Sequence, residues 1–262
     1  MTLKRLSARI LRWIPIAAIA AVAPAEAMVG GAQPAADGAG RSVVMILGSY
    51  GTVCTATAIA RELLLTAAHC VQQGADYKLM GSKPGETPVL KTIARVERDP
   101  QFDLKRLFAH LATADVALLK LSEPLPASVL PARIGSDTEA VTIGDTLIVA
   151  GYGVTMRGAD RLDGIVRSAT LMVTGQPGPL QIRLFDPDTQ GKAAGLGACT
   201  GDSGAPAFRD TNGSLTIIGV VSWSTGPNLT GGCGGLTGIT PLQRYRAWIV
   251  DTARAIGSPL EP

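Results

Sequence analysis

One serine lies in a glycine-rich turn that could support acyl transfer. The stretch GACTGDSGAP covers residues 197–206 and places Ser203 between Asp202 and Gly204. A serine hydroxyl is a weak nucleophile at neutral pH, so it needs a base within hydrogen-bond reach and a group that orients the base. The oxyanion formed on attack needs hydrogen-bond donors, and the backbone N–H groups of Gly201 and Ser203 can supply them. We therefore predict a nucleophile and an oxyanion hole in this turn.

The base has to be a histidine, and the chain contains only two. His69 follows a run of strand-forming residues in LLLTAAHCVQQG (63–74), directly before Cys70, which favours a fixed position. Taken alone, His69 fits a core histidine better than a catalytic one, and catalysis is favoured only when the serine turn is considered with it. His110 lies in the more polar stretch LKRLFAHLATAD (104–115), which indicates a surface or packing residue. Asp115 begins the apolar run DVALLKL (115–121), which suits an orienting carboxylate. The predicted catalytic order is thus His69, Asp115, Ser203.

The four cysteines are interpreted as structural, because residues 1–27 predict an export signal. Four cysteines allow three pairings, and their spacing alone does not choose among them. The spacing fits no standard zinc pattern, so we expect neither a metal nor a cofactor.

The signal covers residues 1–27, where a basic head is followed by the apolar run WIPIAAIAAVAPA and by AEA. This pattern predicts a cleaved secretory signal peptide. Residues 1–27 hold four basic side chains and one acidic, which leaves 20 of each over residues 28–262. A balanced mature chain argues against nucleic acid as a partner, and no later apolar run predicts membrane attachment after signal removal.

The mature region contains many short apolar runs separated by Gly, Pro, Asp and Asn, such as DTLIVAGYG (145–153) and LTIIGVVSW (215–223). Runs of this length and composition are typical of β-strands. Helical periodicity occurs only near the end, where residues 241–257 predict one helix with Leu242, Tyr245, Trp248 and Ile249 on one face. The pattern predicts an antiparallel barrel or sandwich.

Taken together, these motifs resemble the chymotrypsin/trypsin-like serine proteases. The matching pieces occur in family order over nearly all of residues 28–262: MVGG (28–31), LTAAHC (65–70), DVALLKL (115–121), GYG (151–153), GDSGAP (201–206), VSW (221–223) and the terminal helix. The resemblance implies an all-β fold of two six-stranded antiparallel β-barrels, roughly 28–140 and 141–240, with a C-terminal α-helix at 241–257. The short signal and compact size favour a bacterial, secreted member.

The resemblance also implies roles for individual residues. His69, Asp115 and Ser203 would form the catalytic triad, and Ser222 in VSW would hydrogen-bond Asp115. The amino group of Met28, released by signal cleavage, would pair with the buried carboxylate of Asp202.

The remaining implied features concern the cysteines and the specificity pocket. The disulfides would be Cys54–Cys70 and Cys199–Cys233. The pocket would have Gly197 at its base, with Ala198, Ser224 and Gly235 around it. No acidic side chain is expected at the base, so cleavage should follow apolar or small uncharged residues, not basic ones.

The sequence thus predicts a secreted or periplasmic serine endopeptidase that acts on polypeptide substrates, is a monomer, and could be the target of a protein inhibitor. Two alternatives stay open. One is an esterase that uses the same triad, and the other is a protease-like binding protein without turnover.

Overall fold

The computed structural model describes residues 28–35, 38–81, 89–136, 140–158 and 162–260. The predicted signal peptide, residues 1–27, lies outside the described residues. The strands are β1 (Gln33–Pro34), β2 (Val43–Gly48), β3 (Val53–Ala60), β4 (Leu63–Thr66), β5 (Tyr77–Gly81), β6 (Val89–Arg98), β7 (Ala117–Leu121), β8 (Arg133–Ile134), β9 (Thr146–Gly151), β10 (Arg167–Thr174), β11 (Ile182–Phe185), β12 (Pro206–Thr211), β13 (Ser214–Ser224) and β14 (Leu236–Pro241). The helices are α1 (Leu104–Phe108) and α2 (Arg246–Ala255).

The first barrel closes in the order β2-β3-β4-β7-β6-β5. All neighbouring strands in it are antiparallel. Its interior is filled by apolar side chains, including the fully buried Ile46, Leu64 and Leu119. Closure removes the unpaired strand edges that an open sheet would leave exposed.

The second barrel contains β9, β10, β11, β14, β13 and β12, and it closes because β12 and β10 both pair with β9. In β10, exposed or half-buried positions alternate with buried ones, as expected of a strand with one face in a core. Two short strands add to this sheet: β1 pairs with β10, and β8 pairs in parallel with β13. The predicted fold class, two six-stranded antiparallel barrels with a C-terminal helix, is confirmed.

A shared apolar core joins the two barrels. Met45 and Leu65 from the first barrel pack in one buried cluster with Phe208 and Val220 from the second. Ile249 of α2 belongs to the same cluster and is completely buried. Burial of this interface fixes the relative position of the barrels, and therefore of the residues that each contributes to the cleft.

The C-terminal helix is shorter than the predicted range 241–257. Pro241 is the last residue of β14, and a 3₁₀ turn over Gln243–Tyr245 precedes α2. The predicted apolar face is present: Leu242, Tyr245 and Ile249 are buried, and Trp248 packs against them. Within the described residues, no helix has the length and apolarity needed to cross a bilayer.

Candidate active site

His69 is held at the end of a buried strand. β4 supplies Leu63–Thr66, all buried, and a 3₁₀ turn over Ala68–Cys70 follows it. The disulfide Cys54–Cys70 ties this turn to β3, with a Cα–Cα distance of 6.1 Å. The backbone at His69 is therefore held by the barrel strand before it and by the disulfide after it.

Asp115 is completely buried and accepts hydrogen bonds from both the backbone and the ring of His69. One carboxylate oxygen accepts from the His69 backbone N–H at 2.8 Å. The other lies 2.7 Å from Nδ1 of the ring. A carboxylate only accepts, so Nδ1 carries the proton and Nε2 keeps its lone pair. The ring is thus set as a base whose free nitrogen faces away from Asp115.

Ser222 supplies a further donor to the same carboxylate. It is buried in β13, and its Oγ lies 2.5 Å from the Asp115 oxygen that also contacts the ring. Asp115 lies just before β7 of the first barrel, and Ser222 belongs to β13 of the second. This hydrogen bond therefore crosses the interface between the two barrels. Three donors compensate the burial of one charge, which an isolated carboxylate would not tolerate.

The turn that carries Ser203 lies against the same strand ends. The carbonyl oxygen of Ser203 accepts from Thr55 N–H at 2.9 Å, and Gly204 N–H donates to the Val221 carbonyl oxygen at 2.8 Å. Gly204 has φ +81°, and a Cβ there would come within 2.1 Å of Thr66 Oγ1 and 2.3 Å of the Thr55 carbonyl oxygen. Only glycine permits this approach, which brings the turn next to the segment that leads into His69.

The Ser203 turn lies against the segment that leads into His69, and no hydrogen bond joins the two side chains among the described residues. Nε2 of His69 has a contact to Cys70 Sγ at 3.9 Å. Hydrogen bonds between catalytic side chains are often long without substrate and shorten when substrate binds. His110 lies elsewhere, exposed in the loop after α1.

The two predicted oxyanion donors are unoccupied by the protein itself. Within the described part of the chain, the N–H groups of Gly201 and Ser203 donate no hydrogen bond. Gly201 has φ +95°, a conformation that glycine adopts without strain. Backbone donors without a partner at a half-buried serine are available to a negatively charged oxygen of a ligand.

Asp202 is a second fully buried carboxylate. Its oxygens accept from Gly153 N–H at 2.8 Å and from Cys199 N–H at 2.9 Å. Burial raises the pKa of Asp202 to about 7, and the two hydrogen bonds only partly oppose this effect. A Cβ at Gly151 or Gly153 would lie 2.1 or 2.2 Å from a carboxylate oxygen, so GYG at 151–153 leaves the space that Asp202 fills. The local sequence of this motif does not indicate that role, because Asp202 lies about 50 residues away.

Met28 lies at the start of the described chain and is completely buried in the core of the second barrel. Its neighbour Val29 forms an isolated antiparallel bridge with Gly197. Met28 is an internal residue in this chain, so its nitrogen is a peptide nitrogen, and its φ of +51° is unusual for a residue with a side chain. The expected ion pair with Asp202 therefore stays a prediction.

The segments that contain the residues predicted for the specificity pocket contact one another. Gly197 and Ala198 are buried, and Ala198 N–H donates to Thr237 Oγ1 at 3.0 Å. Ser224 Oγ donates to the Gly232 carbonyl oxygen at 3.2 Å. The disulfide Cys199–Cys233 joins the segment that contains Gly232 and Gly235 to the Ser203 turn.

Gly235 packs closely: a Cβ there would lie 2.1 Å from the Gly226 carbonyl oxygen. Thr237, from the same segment as Gly235, is a buried hydroxyl beside Gly197. The Arg157 side chain lies over Gly232 and was not found from the sequence, because it comes from a distant segment of the chain.

One group of potential metal ligands occurs among the described residues, formed by Cys54, His69 and Cys70. Both sulfur atoms belong to the disulfide, so they offer no thiolates for a metal.

Two β-barrels with a buried carboxylate–imidazole pair beside a serine turn are typical of serine peptidases. The sequence model of the Trypsin family matches residues 29–249. The chain therefore belongs to the trypsin family, and its enzyme class is that of a serine endopeptidase.

Individual relatives agree with this assignment. The chain is 26% identical over 253 residues to transmembrane protease serine 9 of Rattus norvegicus, with 90% of this chain covered but only 23% of that protein. It is 25% identical over 232 residues to the snake venom serine protease rhinocerase 4 of Bitis rhinoceros, with 86% of each covered. The fold is similar to that of human heparin binding protein, with a TM-score of 0.67, 23% identity, and coverage of 89% of this chain and 100% of that chain.

The contact between Ser222 and Asp115 gives a testable prediction. Ser222→Ala removes one donor from a buried carboxylate, and hydrogen bonds to charged groups contribute roughly 1.5–3 kcal/mol. We expect kcat/KM for a peptide ester to fall by about tenfold, because the imidazole is then less well oriented. Ser214→Ala changes an exposed serine of the same strand and should leave kcat/KM within about twofold. Equal rates for both variants would show that Ser222 does not support the triad.

Proposed function

We propose that the protein is a secreted serine endopeptidase that hydrolyses peptide bonds after small or apolar uncharged residues. The observation that carries the proposal is the pairing of Asp115 with His69, in which Nδ1 is held and Nε2 is left as the acceptor, while the Ser203 turn lies against the segment that leads into His69. The secretory signal expected at residues 1–27 supports export. The relatives reported above come from a rat and a snake, and a bacterial origin stays part of the proposal.

In the proposed reaction, Ser203 Oγ attacks the carbonyl carbon of the scissile bond while its proton passes to His69 Nε2. The carbonyl oxygen becomes an oxyanion and accepts from the N–H groups of Gly201 and Ser203. The imidazolium, paired with Asp115, then gives its proton to the leaving amine as the C–N bond breaks. Water, deprotonated by His69, attacks the acyl-enzyme, and return of the proton to Ser203 releases the acid product.

The pocket supports the proposed preference for uncharged residues. Gly197 and Ala198 present no charge, and the polar atom beside them is the Thr237 hydroxyl, which already accepts from Ala198 N–H. A buried lysine or arginine side chain would need a carboxylate partner there. The proposed substrates are accordingly polypeptides with small or apolar side chains before the cleaved bond. We also propose that the mature protein is a monomer and a possible target of a protein inhibitor.

Covalent labelling tests the proposed nucleophile. We expect a fluorophosphonate probe to label the purified protein with 1:1 stoichiometry, and Ser203→Ala to abolish both labelling and peptide hydrolysis. Ser214→Ala, at an exposed serine, is the matched control and should label fully. Tight peptide binding without labelling would favour the protease-like binding protein, and labelling with hydrolysis of esters alone would favour the esterase.

A peptide library tests the proposed specificity. We expect cleavage after Ala, Val, Leu or Met to exceed cleavage after Lys or Arg by at least about 100-fold, because an unpaired cation would be desolvated in the pocket. Gly197→Asp places a carboxylate at the base and should raise the relative rate after Lys or Arg. Efficient cleavage after basic residues by the unmodified enzyme would contradict the proposed pocket.

We further propose that removal of residues 1–27 activates the enzyme, because the free Met28 amine can then pair with Asp202. Three observations support this step: Asp202 is buried without a cationic partner among the described residues, Val29 already bridges Gly197, and Met28 has an unusual positive φ. A free amine has no preceding peptide group, so this backbone constraint disappears on cleavage.

The pKa of Asp202 gives this proposal a pH test. When residues precede Met28, the folded state keeps the Asp202 proton up to about pH 7, whereas the unfolded state releases it near 3.8. The folded state then binds more protons, so the free energy of unfolding should fall as the pH rises from 4 to 7. In a chain that begins at Met28, the ammonium lowers the pKa of Asp202 and this fall should be absent.

Both chains are compared by urea denaturation in the Ser203→Ala background, which prevents self-cleavage. The Ser203-containing forms are compared in parallel for peptide hydrolysis, where the extended chain should be at least about tenfold slower. Identical pH profiles together with identical rates would contradict activation by the Met28 amine.

A further inference from the structure

Thr55, in β3 of the first barrel, donates two hydrogen bonds to the Ser203 turn. Its backbone N–H donates to the Ser203 carbonyl oxygen at 2.9 Å. Its side-chain hydroxyl donates to the Gly201 carbonyl oxygen at 2.8 Å and accepts from Tyr152 N–H at 3.1 Å. Thr55 is completely buried, and neither the sequence motifs nor the proposed triad include it.

We propose that the Thr55 hydroxyl is a positioning group that fixes the oxyanion hole, an inference that rests on the proposed peptidase function. The two oxyanion donors are the N–H groups of Gly201 and Ser203. The carbonyl groups of the same two residues both accept hydrogen bonds from Thr55. One residue of the first barrel therefore fixes the orientation of the turn on both sides of Asp202.

The flexibility of glycine makes this anchoring necessary. Gly201 has φ +95° and can rotate with little steric cost, which would carry its N–H away from the cleft. A hydrogen bond to the Gly201 carbonyl oxygen restricts rotation of the peptide group that joins it to Asp202. Donors that are fixed before reaction stabilise a developing oxyanion without further reorganisation, and this is where their contribution to rate originates.

The second hydrogen bond of the Thr55 hydroxyl, from Tyr152 N–H, connects the Ser203 turn to the segment that follows β9. Tyr152 is followed by Gly153, whose N–H holds the Asp202 carboxylate at 2.8 Å. Thr55 Oγ1 thus lies between the segment that holds Asp202 and the peptide group that precedes Asp202. Its one proton and an acceptor lone pair are both used, so valine at this position would leave the buried Tyr152 N–H and Gly201 carbonyl groups without these partners.

Thr57 shows that this arrangement is specific to position 55. It lies two residues further along β3 and is also completely buried, yet its Oγ1 has no hydrogen-bond partner in the described parts of the chain. A buried threonine in this strand therefore does not by itself bind the turn. Thr57 provides a matched control with the same residue type, strand and burial.

The test compares Thr55→Val, Thr55→Ser and Thr57→Val for peptide hydrolysis. Each preparation is normalised to the sites labelled by a fluorophosphonate probe, so that incomplete folding lowers the number of sites and not kcat. We expect Thr55→Val to lower kcat by about 10- to 100-fold with KM within about twofold, because loss of one direct oxyanion donor costs about 100- to 1,000-fold and positioning acts indirectly. Thr55→Ser keeps the hydroxyl and should stay within about threefold of the unmodified enzyme, and Thr57→Val should be unchanged.

A transition-state analogue separates positioning from general stability. A peptide aldehyde forms a hemiacetal whose oxygen occupies the oxyanion hole, and its inhibition constant should rise in Thr55→Val by the same factor as kcat falls. The inhibition constant of the corresponding non-covalent peptide amide should not change. Unchanged kcat and aldehyde affinity in Thr55→Val would overturn the inference, as would equal losses in Thr57→Val. A lack of hydrolysis by the unmodified enzyme would instead count against the proposed function.

Discussion

The buried carboxylate of Asp115 is the constraint on which the rest of the site depends. A completely buried charge is tolerated only when donors surround it, and here they are the backbone and ring N–H groups of His69 and the Ser222 hydroxyl. These donors come from different barrels, so Asp115 is satisfied only when the barrels are correctly docked. The same contacts fix the tautomer of His69. Stability of the interface and orientation of the base therefore depend on one group.

A second buried carboxylate performs a comparable task on the other side of Ser203. Asp202 holds the turn through Gly153 and Cys199 N–H groups, but no cation among the described residues pairs with it, and burial raises its pKa to about 7. The three donors around Asp115 thus compensate the burial of its charge, whereas the two backbone donors to Asp202 only partly do so. The proposed activation step would supply the missing charge from the Met28 amine, and so couple signal removal to the geometry of the turn.

Thr55 connects the segment that holds His69 to the turn that carries Asp202 and Ser203. Its strand carries Cys54, which is bonded to the residue after His69, while its own backbone and side chain hold the Ser203 turn. Small displacements of reacting groups lower rates strongly, so a rigid strand that fixes both the base and the turn favours acyl transfer. In the proposed mechanism the first barrel does more than carry His69, because it also holds the donors on the second barrel in place.

The sequence by itself determined the fold class, since short β-branched runs predicted strands and ordered motifs resembled one family. It also favoured His69 over His110 as the predicted base, because only His69 follows a run of strand-forming residues and precedes a cysteine. The C-terminal helix was placed correctly in the chain but predicted too long, since Pro241 completes β14. Only the tertiary structure decided which hydroxyls face the site. Thr55 and Thr57 look alike in the sequence, and the partners that distinguish them lie about 100 to 150 residues away, at Tyr152 and Gly201. The space that Gly151 and Gly153 leave for Asp202 cannot be found from the local sequence either, because it exists only where two distant backbone segments meet.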